Sequence, residues 1–245
     1  LLNEKDLNNI SHTDPHRINY GNVIEYKTNF LKIAFKNFKE TNKTNEQLFN
    51  DFCLKHKEWL DDFALFMAAK NYHNGICWID WDKEISLRQN LDKWKEKLSD
   101  DILYYKFLQY QFFKQWTALK KYANEKNIKI IGDMPIYIAY DSSDLWANKN
   151  LFTVDENGKL TFVAGVPPDY FSETGQLWGN PLYRWKLMEK DDYQWWRNRI
   201  TSLLEFVDII RIDHFRGFDA YWEIPAESPN AINGRWVKGP GEKFF

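Results

Sequence analysis

The sequence predicts an α/β fold wound around a parallel sheet, and three observations predict it. Apolar residues recur at helical spacing through the first half of the chain. The period then changes to two short β-branched runs, 128–131 and 207–213, separated by a long excursion and a helical stretch. Each run leads into an acid, Asp133 and Asp213. Helix, strand, excursion, helix, strand is the order of a parallel sheet, because parallel neighbours need a crossover between them.

The elements follow in order. Val23, Tyr26, Phe30, Ile33 and Ala34 mark a first helical face. Thr44 and Gln47 match a capping box that opens a stretch carrying Leu48, Phe52, Trp59, Phe63 and Met67. Tyr104, Leu108, Phe112, Trp116 and Leu119 fall at spacings of four, four, four and three, which predicts one buried face over 103–122. Residues 151–154 and 160–163 flank Asp155-Glu156-Asn157-Gly158 and predict a hairpin, since Asn-Gly supplies the left-handed backbone of a tight turn. Residues 164–185 are rich in Gly, Pro and aromatics and carry no period, so a long functional loop is expected there. Tyr193, Trp196, Ile200, Leu203 and Leu204 restore helical spacing before the second β run. The chain is expected to divide into a mostly helical region, 1–124, and an α/β region, 125–245.

Composition removes several function classes. With 33 basic against 35 acidic residues there is no polycation to neutralise phosphates, so no nucleic-acid partner is expected. No run approaches the roughly 20 apolar residues of a membrane span. Cys53 and Cys77 form no C-x-x-C pair and no disulfide framework, which favours the cytoplasm. The glycosylation-type triplets at Asn9 and Asn42 carry no information without secretion. The histidines at 12, 16, 56, 73 and 214 lack metal-ligand spacing, so no metal is expected. Gly234 and Gly239 lack the Lys-Ser/Thr of a phosphate loop, and no cofactor motif occurs. Twelve tryptophans fit either a core or a surface that stacks on sugar rings, and composition does not separate the two. The length suits one (β/α)8 barrel of about 250 residues. Yet the chain opens on Leu1-Leu2 and closes on Phe244-Phe245, so a piece of a longer sequence is expected, its final Phe pair a core segment without a partner.

Chemistry concentrates at the second β run. Alternation puts Arg211 and Asp213 on one face. An Arg in an apolar strand needs a partner, and Asp213 is the expected one. A guanidinium beside a carboxylate favours its charged form, as a nucleophilic carboxylate requires. The same pair could instead be a bridge that only orders the strand end, and an acid there could simply cap a helix.

Five blocks carry a resemblance: GDMPIY (132–137), VAGVPPDYFSETGQLWGNP (163–181), RIDHFRGF (211–218), YWEIPA (221–226) and GRWVKGPGEK (234–243). In these blocks, which cover most of the chain from Gly132 onward, the sequence resembles the amylomaltase family, the 4-α-glucanotransferases of the α-amylase clan. The resemblance implies an incomplete (β/α)8 barrel with helical insertions, part of a longer catalytic domain, in which 125–245 carries the third and fourth strands. It implies transfer of an α-1,4-glucan segment to the 4-hydroxyl of an acceptor glucan, with maltooligosaccharides as substrates and no cofactor. It makes Asp213 the nucleophile and Arg211 the residue that orients and ionises it. Asp133 and His214 become substrate ligands, and Asp169, Tyr170, Phe171 and Trp178 glucan contacts on a loop arching over the cleft. The family's acid/base Glu is expected beyond Phe245. Glu223 is the nearest acidic candidate within the chain after Asp219, with structural hydrogen bonding its favoured role. A hydrolase of the same clan and a non-catalytic glucan-binding fragment remain alternatives.

Overall fold

The computed structural model describes residues 1–7, 16–41 and 43–245. The triplets at Asn9 and Asn42, and the capping side chain of Thr44, lie outside the described residues. Helix α1 spans Glu4–Leu7, α2 Tyr20–Thr41, α3 Lys43–Lys55 and α4 Lys57–Tyr72. Then come α5 (Lys83–Ser86), α6 (Leu91–Lys97) and the long α7 (Ser99–Glu125). The remaining elements are β1 (Ile131–Met134), α8 (Ser143–Ala147), β2 (Phe162–Val166), β3 (Gln176–Pro181), α9 (Trp185–Met188), α10 (Gln194–Phe206), β4 (Ile209–Ile212), β5 (Ala220–Pro225) and β6 (Arg235–Lys238). The protein is a mixed α/β structure, and among the described residues no helix is long and apolar enough to cross a membrane.

Aromatic packing explains the helical half. Ala34, Phe35 and Phe38 of α2 meet Phe49 of α3 and Phe107 and Tyr110 of α7 in a ring cluster separate from the main core. Its ring centroids lie 4.9 Å apart for Phe38–Phe107 and 5.6 Å for Phe49–Tyr110. The buried face expected on α7 is thereby corrected. Phe107 and Tyr110 are its buried residues, while Phe112 and Leu119 are 47% and 52% exposed. Helices α2, α3, α4 and α10 press on α7 from several sides, so its burial does not follow a single stripe. The main core holds Trp78, Trp81, Trp94, Trp146, Trp185 and Trp196. Some of these buried indoles find acceptors: Trp78 Nε1 donates to the Tyr140 carbonyl at 2.8 Å and Trp146 Nε1 to that of Ile85 at 2.9 Å. Core filling therefore accounts for much of the tryptophan excess.

Strands β1 and β4 form a parallel pair, with Asp133 opposite Arg211 and Met134 opposite Ile212. The other four strands make an antiparallel sheet in the order β3-β2-β5-β6. Two expectations change here. The Asn157-Gly158 turn forms, with Asp155 Oδ1 accepting from the amides of Asn157 and Lys159 at 2.9 and 2.8 Å. Gly158 sits at φ +90°, packed so closely on Trp78 that a Cβ would enter the indole. Its flanks, however, hold a single bridge, Val154 to Leu160, and Phe152 pairs with Tyr183 instead. Likewise 164–185 is not one loop. It contains the end of β2 and all of β3, which leaves 167–175 as the connection. β3 carries two Gly/Asn positions and a terminal Pro, so pairing with β2, not propensity, makes it a strand. The final Phe pair is also corrected: Phe244 packs within 4.7–5.9 Å of Phe218, Tyr193, Trp196 and Trp185.

Candidate active site

The parallel pair delivers three charged side chains to one place. Residues 131, 133, 209 and 211 share its exposed face, whereas Met134 is buried on the opposite face. Asp133 accepts two hydrogen bonds from Arg211, from Nε to Oδ1 at 3.0 Å and from Nη2 to Oδ2 at 2.7 Å. Asp213 Oδ1 lies 3.8 Å from the same Nη2. Arg211 thus keeps the expected ion pair with Asp213 but gives its two hydrogen bonds to Asp133. The reason is geometric. Residues two apart on a strand are separated by about 6.6 Å, while a paired neighbour on the next strand is about 5 Å away. The hydrogen bonds to Asp133, and then its charge and that of Asp213, push the Arg211 guanidinium further up its already high range.

Beside the carboxylates stands a wall of rings. His214 takes left-handed backbone, φ +50°, immediately after Asp213. Its ring meets Trp178 edge-on at 4.9 Å and faces Tyr137 at 6.4 Å. Burial pushes the imidazole below the usual histidine range, and the nearby Asp213 charge only partly restores it. The ring is therefore held toward its neutral form, with one nitrogen able to donate and the other to accept. Tyr137 is the residue sequence reasoning passes over. Its signal was its place four residues past Asp133 in the GDMPIY block.

The connection 167–175 carries the remaining candidates. Asp169 Oδ1 accepts from the amides of Phe171 and Ser172, both at 2.9 Å, so this carboxylate shapes the turn. Tyr170 and Phe171 are 97% and 90% exposed and touch edge to face at 5.7 Å. The structure therefore brings together Asp133, Arg211, Asp213, His214 and Trp178, and leaves Tyr170 and Phe171 at the loop tip. Glu223 lies in the other sheet, buried, where its Oε1 accepts from Arg235 Nε and Nη2 at 2.9 and 2.6 Å. A cavity of about 610 Å3 among α4, α7, α8 and α10 borders none of the strand-tip residues. Among the described residues, no group of three or more His, Cys, Asp or Glu side chains is placed to hold a metal ion.

A carboxylate beside a fixed guanidinium, next to a neutral imidazole and an exposed indole, can attack an electrophilic carbon while rings and polar groups hold a polyhydroxylated ligand. Comparison with known proteins places the chain in a family. A family model described as 4-alpha-glucanotransferase matches residues 1–245. The 4-alpha-glucanotransferase of Clostridium butyricum is 52% identical over 231 residues, 93% of this chain and 47% of that protein. That of Thermus thermophilus is 49% identical over 232 residues, 94% of this chain and 46% of that one. The structure of amylomaltase from Streptococcus agalactiae in complex with acarbose is similar with a TM-score of 0.94 at 40% identity, covering 99% of this chain and 50% of that chain. The chain spans about half the length of these relatives. It belongs to the 4-alpha-glucanotransferase family.

Proposed function

We propose that this chain is the nucleophile-bearing part of a 4-α-glucanotransferase, which cuts an α-1,4-glucan and passes the donor segment to the 4-hydroxyl of another glucan. The observation that carries this reading is the Asp213 carboxylate beside Arg211, itself clamped by Asp133 across the strand pair. We read β1 and β4 as adjacent strands of an incomplete (β/α)8 barrel, with the row 131, 133, 209 and 211 facing its axis. In such barrels chemistry gathers at the C-terminal strand ends.

In the reaction, an Asp213 oxygen attacks the anomeric carbon and the glycosidic C–O bond breaks. The departing 4-oxygen takes a proton from a carboxylic acid, leaving a glucosyl ester on Asp213. An acceptor's 4-hydroxyl then attacks the same carbon, returns its proton to that acid/base, and releases the Asp213 carboxylate. Two inversions give net retention. Retention requires the acid/base about 5–5.5 Å from the nucleophile. Glu223 is committed to Arg235, so we assign that role to sequence beyond Phe245 and expect no turnover from these 245 residues alone. Asp133, Asp169 and His214 are assigned to sugar hydroxyls, and Trp178, Tyr170 and Phe171 to stacking on glucose rings. The acarbose bound by the Streptococcus agalactiae amylomaltase supports an α-glucan oligosaccharide as substrate. The unpaired thiols of Cys53 and Cys77 support a reducing compartment, the cytoplasm.

The test is Asp213→Asn in the full-length protein, assayed on maltotriose. The wild type is expected to yield longer oligomers, and the variant to lose about 10³-fold or more of that activity. Retained disproportionation would overturn the assignment. A wild type that releases only shorter products would make the enzyme a hydrolase.

A further inference from the structure

We propose that Arg199, on α10, is a positioning residue for transfer: it fixes the segment that follows β1, and through it Tyr137 and the Asp133 end of the site. The inference rests on the reading of the site given above, and it concerns a side chain that touches neither carboxylate.

Strand β1 ends at Met134, whose carbonyl takes the ladder's last hydrogen bond, from the Asp213 amide at 3.1 Å. Ile136 and Ile138 are buried, so their carbonyls must find partners elsewhere, since main-chain oxygens left unpaired inside a protein are costly. Side chains supply them. Arg199 Nη2 donates to the Pro135 carbonyl at 2.7 Å, and Nη1 to that of Ile136 at 3.2 Å. The Tyr183 hydroxyl donates to the Ile136 carbonyl at 2.7 Å and accepts from Arg199 Nη1 at 3.2 Å. Asn180 Nδ2 completes the set at the Ile138 carbonyl, 2.8 Å away. The segment that carries Tyr137 is thus held by side chains from β3, α10 and the turn between β3 and α9.

Arg199 suits this task for two reasons. Its planar fork reaches two carbonyls and a phenol at once, which an ammonium on a single stem does not. It also lies over Trp196 and Trp195, 4.9 and 5.5 Å from the ring centroids, so the fork is held in place by ring faces. From there a chain of contacts runs into the site. Tyr183, fully buried, stacks on Tyr137 at 6.1 Å, and Tyr137 faces Trp178 and His214 at 6.3 and 6.4 Å. Asp133 sits two residues before Pro135, and its clamp on Arg211 sets where that guanidinium stands relative to Asp213. A shift of about 1 Å in such an alignment costs about 10²-fold in rate.

The test compares Arg199→Ala, Arg199→Lys and Tyr183→Phe with the wild type in the full-length protein. Arg199→Ala is expected to lower kcat on maltotriose about 10²-fold with KM within about threefold. Guanidinium ion, added far below denaturing concentrations, is expected to restore part of that loss, and Arg199→Lys to recover less. Tyr183→Phe is expected to lower kcat further in the Arg199→Ala background than in the wild type, because it then removes the remaining side-chain donor to the buried Ile136 carbonyl. A kcat within about twofold of wild type overturns the inference. So does a loss that only tracks the folded fraction and does not respond to guanidinium. Hydrogen exchange at the amides of 136–138 separates this from failure of the functional reading. If the wild type transfers no glucan, that reading falls, and unchanged protection of these amides in Arg199→Ala overturns the positioning role on its own.

Discussion

Among the described residues, two arginine–carboxylate pairs bridge neighbouring strands, and their surroundings differ. In the antiparallel sheet Glu223 stands opposite Arg235, and in the parallel pair Asp133 stands opposite Arg211. Both are register partners with two hydrogen bonds between them. The Glu223 side chain is only 7% exposed although Arg235 is 71% exposed, and among the described residues no second carboxylate lies within ion-pair distance of Arg235. The Asp133 and Arg211 side chains are 56% and 65% exposed, and beside them the Asp213 carboxylate makes no side-chain hydrogen bond among the described residues. The first pair is a clasp whose carboxylate is buried beneath its arginine. The second is a clasp with a carboxylate to spare, and that surplus on an open face is what chemistry can use.

The sharpest way to break this comparison is Arg211→Ala in the full-length enzyme. Maltotriose disproportionation is expected to fall about 10²- to 10³-fold, as when a charge-stabilising donor is removed from an active site. Activity within tenfold of wild type would make the Asp133–Arg211 pair as structural as its counterpart. Next comes Glu223→Ala, expected to cost about 1 kcal/mol in urea unfolding, because its two hydrogen bonds from a largely exposed Arg235 are lost. The folded variant should transfer glucan at a rate within about threefold of wild type. A far larger activity loss with the fold intact would return Glu223 as a proton donor.

A smaller effect concerns pH. Burial pushes His56 and His214 below the usual histidine range, partly opposed by the Glu205 and Asp213 charges. Between the folded values and the unfolded value of about 6.5, the unfolded chain binds protons that the folded chain refuses. The stability contributed by these rings is therefore full above about pH 6.5 and lost as pH falls through the folded values. Thermal melts taken downward from neutral pH should show Tm dropping by a few degrees, and by less in a His56→Gln, His214→Gln variant. An identical pH dependence in that variant would rule out both rings as the source.

Much of the site was legible before any fold was known. A β-branched run leading into an acid is a local pattern, and it located Asp133 and Asp213. Alternation put Arg211 on the face that leads to Asp213. What stayed hidden was the hydrogen-bonding partner of Arg211, 78 residues away, because strand register is set by packing between segments that carry no mutual signal. Trp178 was assigned to a loop for a similar reason. Its stretch, Gln176–Pro181, lacks alternation and becomes a strand by pairing with β2. Arg199 carries no local signal of its contacts, because a carbonyl's need for a donor appears only where a ladder stops.

By itself the sequence determined whatever depends on neighbours along the chain. That includes the helices, the Asn157-Gly158 turn, the two strands with their acids, and the blocks that mark the family. Only the tertiary structure decided which side of α7 is buried, which tryptophans fill the core, and which carboxylate clamps Arg211. Local patterns are written in backbone geometry and short-range hydrogen bonds. Burial and partnership depend on every element packed against a residue, and those elements are brought together only by the fold.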